Sequence, residues 1–268
     1  MTWSFTDSAA AFRAAASEHL AADPARNTAV LTLMDTAARL GWWEEADGRV
    51  TGVLAVSRSG VPAFGAMTEE AARALELPGG EEPTEVRGET AAVEAYAEAT
   101  GRPWTPTVRM RLFRLGELIP PDPAPAGRAR LAGVADVPLV AAWTREFAVA
   151  IGDEPAEDYT GFVTERISEG RLRLWEAPDG RPVSMAAVSR TIEGQARVHL
   201  VHTPPAERGR GYAAGVTEAV SRAARDAGVA QVLLFTDLAN PTSNALYQRL
   251  GYLPVTDHLG VEFAPAAV

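Results

Sequence analysis

A short turn rich in glycine and arginine has the residue types needed to bind an anion. It reads Pro204-Pro205-Ala206-Glu207-Arg208-Gly209-Arg210-Gly211-Tyr212-Ala213. Gly209 and Gly211 let the backbone approach a ligand closely, while Arg208 and Arg210 carry charge suited to phosphate oxygens. A helix that begins here would add its free N–H groups. Taken alone, the segment also fits a tight loop with solvated arginines.

The same glycines also fit the Gly-x-Gly-x-x-Gly/Ala pattern of dinucleotide-binding turns. Asp237, near the end of the next predicted strand, could then bind a ribose. A dinucleotide turn directly follows its strand, however, whereas Thr203 to Arg208 intervene here. The predicted hairpin upstream is antiparallel in type and does not indicate a βαβ unit. The sequence therefore favours another anionic ligand over a dinucleotide.

Two residue types that the chain lacks exclude several kinds of chemistry. The chain has no cysteine, which excludes a thiolate nucleophile, a disulfide framework and Cys-ligated zinc. All 25 basic residues are arginine, so a Walker-A lysine and Schiff-base chemistry are excluded as well. The histidines show no metal-ligand spacing, and we predict no metal site; they are His19, His199, His202 and His258.

The overall composition is that of a globular protein. Of 268 residues, 47% are hydrophobic and 22% are charged. The net charge is −10 and neither half is basic, which argues against a nucleic-acid partner. No apolar run reaches the roughly 18 residues of a membrane span, and the N-terminus shows no signal-peptide pattern. We expect a cytoplasmic protein with no membrane partner.

A proline-rich segment divides the chain into two halves. Four prolines fall within the six positions 120–125, which excludes a helix or a central strand there. We predict a first domain over residues 1–115, an extended linker over 116–127 and a second domain over 128–268.

The two halves carry an internal repeat. Residues 43–58 read WEEADGRVTGVLAVSR and residues 175–190 read WEAPDGRPVSMAAVSR, and nine of these sixteen positions match at a constant offset of 132. Each segment predicts a strand, an Asp-Gly turn and a returning strand. Shared turn chemistry would explain the Asp-Gly pair alone, so we interpret the halves as a duplication.

The second half predicts the elements that must position the turn. Hydrophobic periodicity and capping residues indicate, in order, helices at 136–150 and 159–169, a hairpin at 171–190, a strand at 195–203, a helix at 211–227, a strand at 230–235, a helix at 242–250 and two short strands within 252–263. The turn thus follows a central strand and opens a helix.

In this position the turn resembles motif A of the GNAT acetyltransferase superfamily, Arg/Gln-x-x-Gly-x-Gly/Ala, which reads Arg208-Gly209-Arg210-Gly211-Tyr212-Ala213 here. The segment from Asn240 to Tyr252 is also similar to the family. The resemblance covers roughly residues 128–264, and the repeat extends it weakly to the first half. It implies an α/β (α+β) fold with a mixed, mostly antiparallel central sheet flanked by helices, in two tandem GNAT-like halves.

The resemblance also implies an activity, the acetyl-CoA-dependent transfer of an acetyl group to a primary amine, most simply of a small molecule. It implies that backbone amides bind the pyrophosphate, those of Arg208, Gly209, Arg210, Gly211, Tyr212 and Ala213. The strand before the turn would part from its neighbour and offer the backbone of Val201, His202 and Thr203 to the pantetheine arm. Asn240 matches a cofactor-contacting asparagine, and Tyr247 matches a tyrosine that protonates the departing thiolate.

Other positions keep two interpretations. His199 could relay a proton as a second catalytic residue, or it could simply line the strand, and we expect it on the opposite face from His202. Several residues of the first two helices and the loop between them could shape the acceptor pocket, or could form an apolar helix face and a solvated acidic loop; they are Trp143, Phe147, Asp153, Glu154 and Glu157.

The first half lacks a matching turn. The repeat offset points to Glu76-Leu77-Pro78-Gly79-Gly80-Glu81, which lacks the motif, and Glu81 and Glu82 would repel phosphate. We expect a degenerate copy that binds no coenzyme A, in a chain that is a monomer or a homodimer. A chain of this kind could also be a non-catalytic acyl-CoA sensor or scaffold, although Tyr247 favours catalysis.

Overall fold

The computed structural model describes residues 1–264. The helices are α1 (Ala9–Ala22), α2 (Thr28–Leu33), α3 (Glu69–Arg73), α4 (Thr90–Thr100), α5 (Val137–Ala150), α6 (Thr160–Ser168), α7 (Tyr212–Asp226) and α8 (Pro241–Arg249). The strands are β1 (Thr2–Thr6), β2 (Arg39–Glu44), β3 (Val50–Val56), β4 (Pro62–Met67), β5 (Glu85–Glu89), β6 (Trp104–Leu115), β7 (Arg128–Leu131), β8 (Leu172–Glu176), β9 (Pro182–Val188), β10 (Gln195–His202), β11 (Gln231–Asp237) and β12 (Tyr252–Phe263). None of these helices has both the length and the apolar character needed to cross a membrane.

The order of elements repeats along the chain. The first half runs β1-α1-α2-β2-β3-β4-α3-β5-α4-β6, and the second runs β7-α5-α6-β8-β9-β10-α7-β11-α8-β12. The duplication inferred from one hairpin therefore extends over both halves.

The chain forms two compact units that do not coincide with its two halves. Unit 1 contains Met1–Leu112, Thr236–Asn240 and residues 254–264, while unit 2 contains Phe113–Phe235 and Pro241–Leu253. The predicted boundaries, 1–115 and 128–268, therefore differ from the compact units at the C-terminal end. The reason is the last strand, because His258–Glu262 of β12 pair antiparallel with β5.

Unit 1 contains the strands in the order β1-β2-β3-β4-β5-β12-β6. All the recorded pairs in this run are antiparallel except the parallel pair of β4 and β5. Its apolar core includes Leu54, Phe64 and Tyr96. β12 occupies the place beside β5 that the repeat would give to β6.

Unit 2 contains the strands in the order β11-β10-β9-β8-β7, with β10 and β11 parallel and the other pairs antiparallel. Two apolar clusters form within it. One includes Val216 of α7 and Tyr247 of α8, and the other includes Val140 of α5 and Val163 of α6. The predicted α/β fold with a mixed, mostly antiparallel sheet flanked by helices is confirmed.

The repeated hairpins have the same local geometry. In the first, the N–H and Nε of Arg49 donate to Asp47 at 3.1 and 2.8 Å. In the second, the N–H and Nε of Arg181 donate to Asp179 at the same 3.1 and 2.8 Å. The strand–turn–strand prediction is confirmed in both halves, since the Asp-Gly turn and its arginine form one local hydrogen-bonded unit.

One local prediction is wrong and one strand was missed. Residues 252–263 form one strand, not two, and the polar Asp257 within it is held by two hydrogen bonds from Arg111, at 2.7 and 2.9 Å. The short strand β7 was not predicted. The proline-rich segment, residues 116–127, contains no helix or strand, and Trp175 Nε1 donates to the carbonyl of Ala126 at 2.9 Å.

Candidate active site

The strand that precedes the glycine turn has an irregularity near its end. The pairing of β10 with β9 passes from His199–Ala187 to His202–Met185, so three steps on β10 correspond to two on β9. Leu200, within this bulge, has a φ of 52°. A bulge of this kind turns the backbone out of its regular pairing, and here it interrupts the pairing of Leu200 and Val201 with β9.

The pairing of β10 with its parallel neighbour ends near the same level. The two strands pair from Gln195–Gln231 to Val198–Leu234, whereas β10 continues to His202. The opening for a pantetheine arm that the resemblance implies stays a prediction. Part of this backbone has a partner already, since Ser184 Oγ donates to the carbonyl of His202 at 2.9 Å.

The glycine turn leads directly into α7. Gly209 and Gly211 have φ values of 78° and 79°, in the left-handed region that favours glycine. Gly211 occupies the N-cap of α7, where no side chain caps the helix. The first N–H groups of α7 therefore point into the turn without a side-chain acceptor, and the helix dipole adds positive potential at the same place. This geometry suits a phosphate group.

The charged side chains of the turn hold each other in place. Glu207 accepts hydrogen bonds from Arg210 at 2.9 Å and from Arg181 at 3.1 Å, so its carboxylate is paired with both guanidinium groups. Arg208 Nε donates to the carbonyl of Thr203 at 3.0 Å. Arg208, Gly209, Arg210 and Gly211 are exposed, whereas Tyr212 is buried in the unit 2 core. The exposed turn thus presents backbone amides with guanidinium groups around them.

Both strand histidines face the layer formed by α5 and α6. His202 Nε2 lies 3.1 Å from Glu146 Oε2 of α5, and the electrostatic neighbours of His199 include Arg166 of α6. The prediction of opposite faces is wrong because the bulge inserts one residue between them and shifts the alternation of the strand. Burial, followed by the nearby arginines, lowers the pKa of His199 to about 3. His199 is therefore neutral and weakly basic at neutral pH.

Tyr247 lies in the apolar core of unit 2. Its side chain is 8% exposed, and its ring packs against Phe113 and Tyr252 at centroid distances of 6.5 and 6.0 Å. Leu246, one residue earlier on α8, is only partly buried. Burial raises the pKa of Tyr247 to about 12. The phenol therefore keeps its proton at neutral pH, as a proton donor must.

The part of the chain that holds the candidate site matches a known protein family. Residues 138–252 match the family model described as the acetyltransferase (GNAT) family. Within residues 138–252, the sequence has the pattern of a GNAT-family domain. The matched residues include β10, the glycine turn, α7, β11 and α8, which is the part of the chain that holds the candidate site. No curated protein matches the sequence.

Solved structures match the fold over more of the chain than the family model does. An acetyltransferase of the GNAT family from Colwellia psychrerythraea is 14% identical, with a TM-score of 0.61, and the match covers 98% of this chain and 99% of that chain. A GCN5-related N-acetyltransferase from Sphaerobacter thermophilus is 18% identical, with a TM-score of 0.65 and coverage of 99% and 97%. One from Kribbella flavida is 21% identical, with a TM-score of 0.55 and coverage of 82% and 89%. These structures thus share the fold over most of this chain, and the family match at residues 138–252 supports acyl transfer as the class of activity.

The other predicted site residues lie at separate places. Asn240 is exposed at the start of α8 and belongs to the unit 1 segment Thr236–Asn240, whereas the glycine turn belongs to unit 2. Trp143 and Phe147 pack in the apolar cluster of α5 and α6. The loop acids Asp153, Glu154 and Glu157 are exposed, which agrees with a solvated acidic loop. Residues 1–264 contain no group of three or more His, Asp or Glu side chains that could hold a metal ion.

The first half has no counterpart of the glycine turn, for a reason that the sequence did not indicate. The connection from β4 to α3 is the single residue Thr68, and α3 has five residues where α7 has fifteen. The residues selected by the repeat offset, Glu76 to Glu81, instead follow α3. The copy in unit 1 is therefore shortened in the turn and in the helix.

Two residues near the bulge were missed from the sequence. Glu146 contacts His202 across 56 positions of sequence. The buried Ser184 joins the carbonyl of His202 to the hydroxyl of Thr203, the latter at 2.8 Å. Both depend on contacts between distant segments, so no local pattern could reveal them.

Proposed function

We propose that the GNAT domain is an acetyl-CoA-dependent N-acetyltransferase, which moves an acetyl group directly to a primary amine of a small molecule. The observation that carries the proposal is the turn between β10 and α7. Two glycines with positive φ lead into a helix whose first N–H groups have no side-chain cap. Such a helix start binds phosphate groups well. The interrupted pairing of β10 with β9 at Leu200 and Val201, just before this turn, leaves backbone groups that could bind the pantetheine arm.

In this proposal the backbone amides from Arg208 to Ala213 bind the pyrophosphate, with the guanidinium groups of Arg208 and Arg210 beside it. The backbone of Val201, His202 and Thr203 lines the pantetheine arm, and Asn240 contacts the cofactor from the start of α8. When bound, acetyl-CoA supplies the activated thioester. A neutral amine attacks it without a covalent enzyme intermediate, so no nucleophilic side chain is required.

The remaining roles concern the protons and the oxyanion. An N–H group near Val201 polarises the acetyl carbonyl and stabilises the charge that develops on its oxygen. Tyr247 donates its phenolic proton to the departing thiolate. We also expect a cytoplasmic monomer or homodimer, and both expectations stay predictions.

The test of this proposal compares two glycines at opposite ends of α7. Gly211 and Gly228 have similar φ values, 79° and 85°. Gly211→Asp adds a carboxylate at the helix start where the pyrophosphate would bind, and its Cβ would lie 3.4 Å from Pro125 Cβ. Gly228→Asp adds the same charge at a similar φ beyond the far end of the helix, with nothing within 4 Å of its Cβ. We expect Gly211→Asp to weaken coenzyme A binding at least a hundredfold in calorimetric titration and Gly228→Asp to change it less than twofold. Equal affinities would contradict the phosphate site.

Catalysis is tested by thiol release from acetyl-CoA with a panel of amino acids, polyamines, aminoglycosides and peptides with free N-termini. Turnover with at least one amine is the expected result. Binding of acetyl-CoA without turnover on any amine would instead favour the acyl-CoA sensor or scaffold.

A further inference from the structure

A carboxylate and a buried imidazole form a pair beside the β10 bulge. His202 Nε2 lies 3.1 Å from Glu146 Oε2, and the two side chains are 4% and 51% exposed, respectively. The carboxylate therefore reaches solvent while the imidazole behind it does not. The centroid of the Trp143 ring lies 6.1 Å from that of the His202 ring, so the indole packs beside the imidazole.

Neighbouring groups hold the backbone of His202 and set the charge of its imidazole. Ser184 Oγ donates to the carbonyl of His202 at 2.9 Å and lies 2.8 Å from Thr203 Oγ1. Burial lowers the pKa of His202, while the hydrogen bond with Glu146 opposes this effect and the nearby Arg208 adds to it. His202 is thus neutral at neutral pH. An ionised carboxylate can only accept, so Nε2 carries the hydrogen and donates it to Glu146.

We propose that Glu146 binds the ammonium group of the acceptor and takes its proton, and that His202 is the positioning residue that holds this carboxylate. This inference rests on the proposed function. The inference extends that function by naming Glu146 as the general base and by specifying an acceptor that binds as a cation.

The proton balance of this step is simple. An N–H bond of the ammonium breaks, its electron pair stays on nitrogen, and the proton goes to the Glu146 oxygen that does not face His202. Because the carboxylate is half exposed, this proton then passes to solvent. The nitrogen forms the new bond to the acetyl carbon, the carbon–sulfur bond breaks with its electron pair going to sulfur, and Tyr247 protonates that sulfur. The second proton, which the nitrogen loses as it becomes an amide, returns to the Tyr247 oxygen, so one proton is released overall.

The surroundings favour this pair over the other candidates. His199 stands among Arg166, Arg171 and Arg197, whose charges would repel an ammonium group. The acids of the loop after α5, Asp153 and Glu154, are exposed, whereas Glu146 is held by a hydrogen bond from the strand that carries the bulge. Glu146 thus combines the required charge with a fixed position.

The experiment measures steady-state kinetics in the amine, with the amine of the panel that the wild-type chain acetylates fastest. We expect Glu146→Gln to lower kcat/KM for the amine at least a hundredfold, with the affinity for coenzyme A within twofold of wild type. The loss should shrink as the pH rises, because more of the amine is then free in solution. Glu98→Gln, which removes an exposed carboxylate from α4, is the matched control and should stay within twofold.

Substitutions of His202 test its positioning role. His202→Gln keeps an N–H donor near the place of Nε2, and we expect at most a fivefold loss. His202→Leu removes the donor and should cost at least twentyfold in kcat/KM with unchanged coenzyme A affinity. If His202→Leu does not fold, the glutamine variant decides: a loss of a hundredfold or more would contradict a role limited to donating this hydrogen bond.

The outcomes separate the two proposals. If the wild-type chain releases thiol and Glu146→Gln keeps more than half of the wild-type kcat/KM, the role of Glu146 is overturned and the proposed function stands. No thiol release from acetyl-CoA by the wild-type chain with any amine would overturn the proposed function and, with it, this inference.

Discussion

Two tyrosines whose rings lie 6.0 Å apart allow a sharp test of the proton donor. Tyr252 Oη lies 2.6 Å from Ser221 Oγ, whereas the phenol of Tyr247 has no hydrogen-bond partner within residues 1–264. Replacement by phenylalanine removes only the oxygen atom in both cases. The structure therefore predicts opposite effects of the same chemical change at two neighbouring positions.

Tyr247→Phe should reduce turnover roughly a hundredfold, the low end of general acid–base contributions. At about 1.36 kcal/mol per factor of ten, this equals about 2.7 kcal/mol of transition-state stabilisation. Because the hydroxyl makes no hydrogen bond to the described residues, stability should change by less than about 0.5 kcal/mol. The kinetic loss should be equal in kcat and kcat/KM, since only the transition state loses an interaction.

Tyr252→Phe should behave in the opposite way. It leaves Ser221 with its hydrogen bond to the carbonyl of Thr217 and removes one neutral hydrogen bond, which costs about 1 kcal/mol of stability. Turnover should stay within twofold of wild type. Thiol-release kinetics and denaturant unfolding of both variants give the comparison. If Tyr247→Phe retained more than half of the wild-type turnover, Tyr247 would not be the acid, and water or another group would protonate the thiolate.

Three further predictions concern binding, packing and pH. Calorimetric titration should give one coenzyme A site per chain, because unit 1 lacks a glycine turn; two equivalent sites would contradict this. Gly215→Val should destabilise unit 2 by about 1–3 kcal/mol, since a Cβ atom there would come within 2.7 Å of the Trp175 ring and 2.8 Å of Pro125 Cγ; an unchanged unfolding midpoint would refute the close packing. Hydrogen bonds from Arg130 lower the pKa of Asp136, so Asp136→Asn should cost about 1 kcal/mol at pH 7, reduced by solvent screening. That difference should be fully present above the usual carboxyl pKa of about 3.9 and should disappear as the pH falls through the lower folded value; a difference that does not decrease as the pH falls would show that the ion pair is not its source.

The sequence predicted correctly those features that depend on contacts between residues close together in the chain. Asp47-Gly48 and Asp179-Gly180 form the predicted turns because the arginine that follows each pair donates back to the aspartate. The order of β10, the glycine turn, α7 and β11 follows from hydrophobic periodicity interrupted by glycine.

The sequence could not indicate features that depend on tertiary contacts. Leu200 adopts a φ of 52°, although leucine has no preference for that region, so the bulge is imposed by its surroundings. The change of strand face after this bulge explains the wrong placement of His199 relative to His202. The pair of Glu146 with His202 and the pairing of β12 with β5 join residues that are far apart in the chain.

The course of β12 makes the degenerate half indispensable to the intact one. A cut within residues 116–127 would give two fragments, and the C-terminal fragment would carry a strand whose partner, β5, lies in the other. We expect the fragments to elute together from a sizing column until a denaturant is added. A chain without the first half would expose the unpaired edge of β12, and such an edge is a template for aggregation. Selection on solubility alone would therefore retain a copy that has lost its ligand-binding turn.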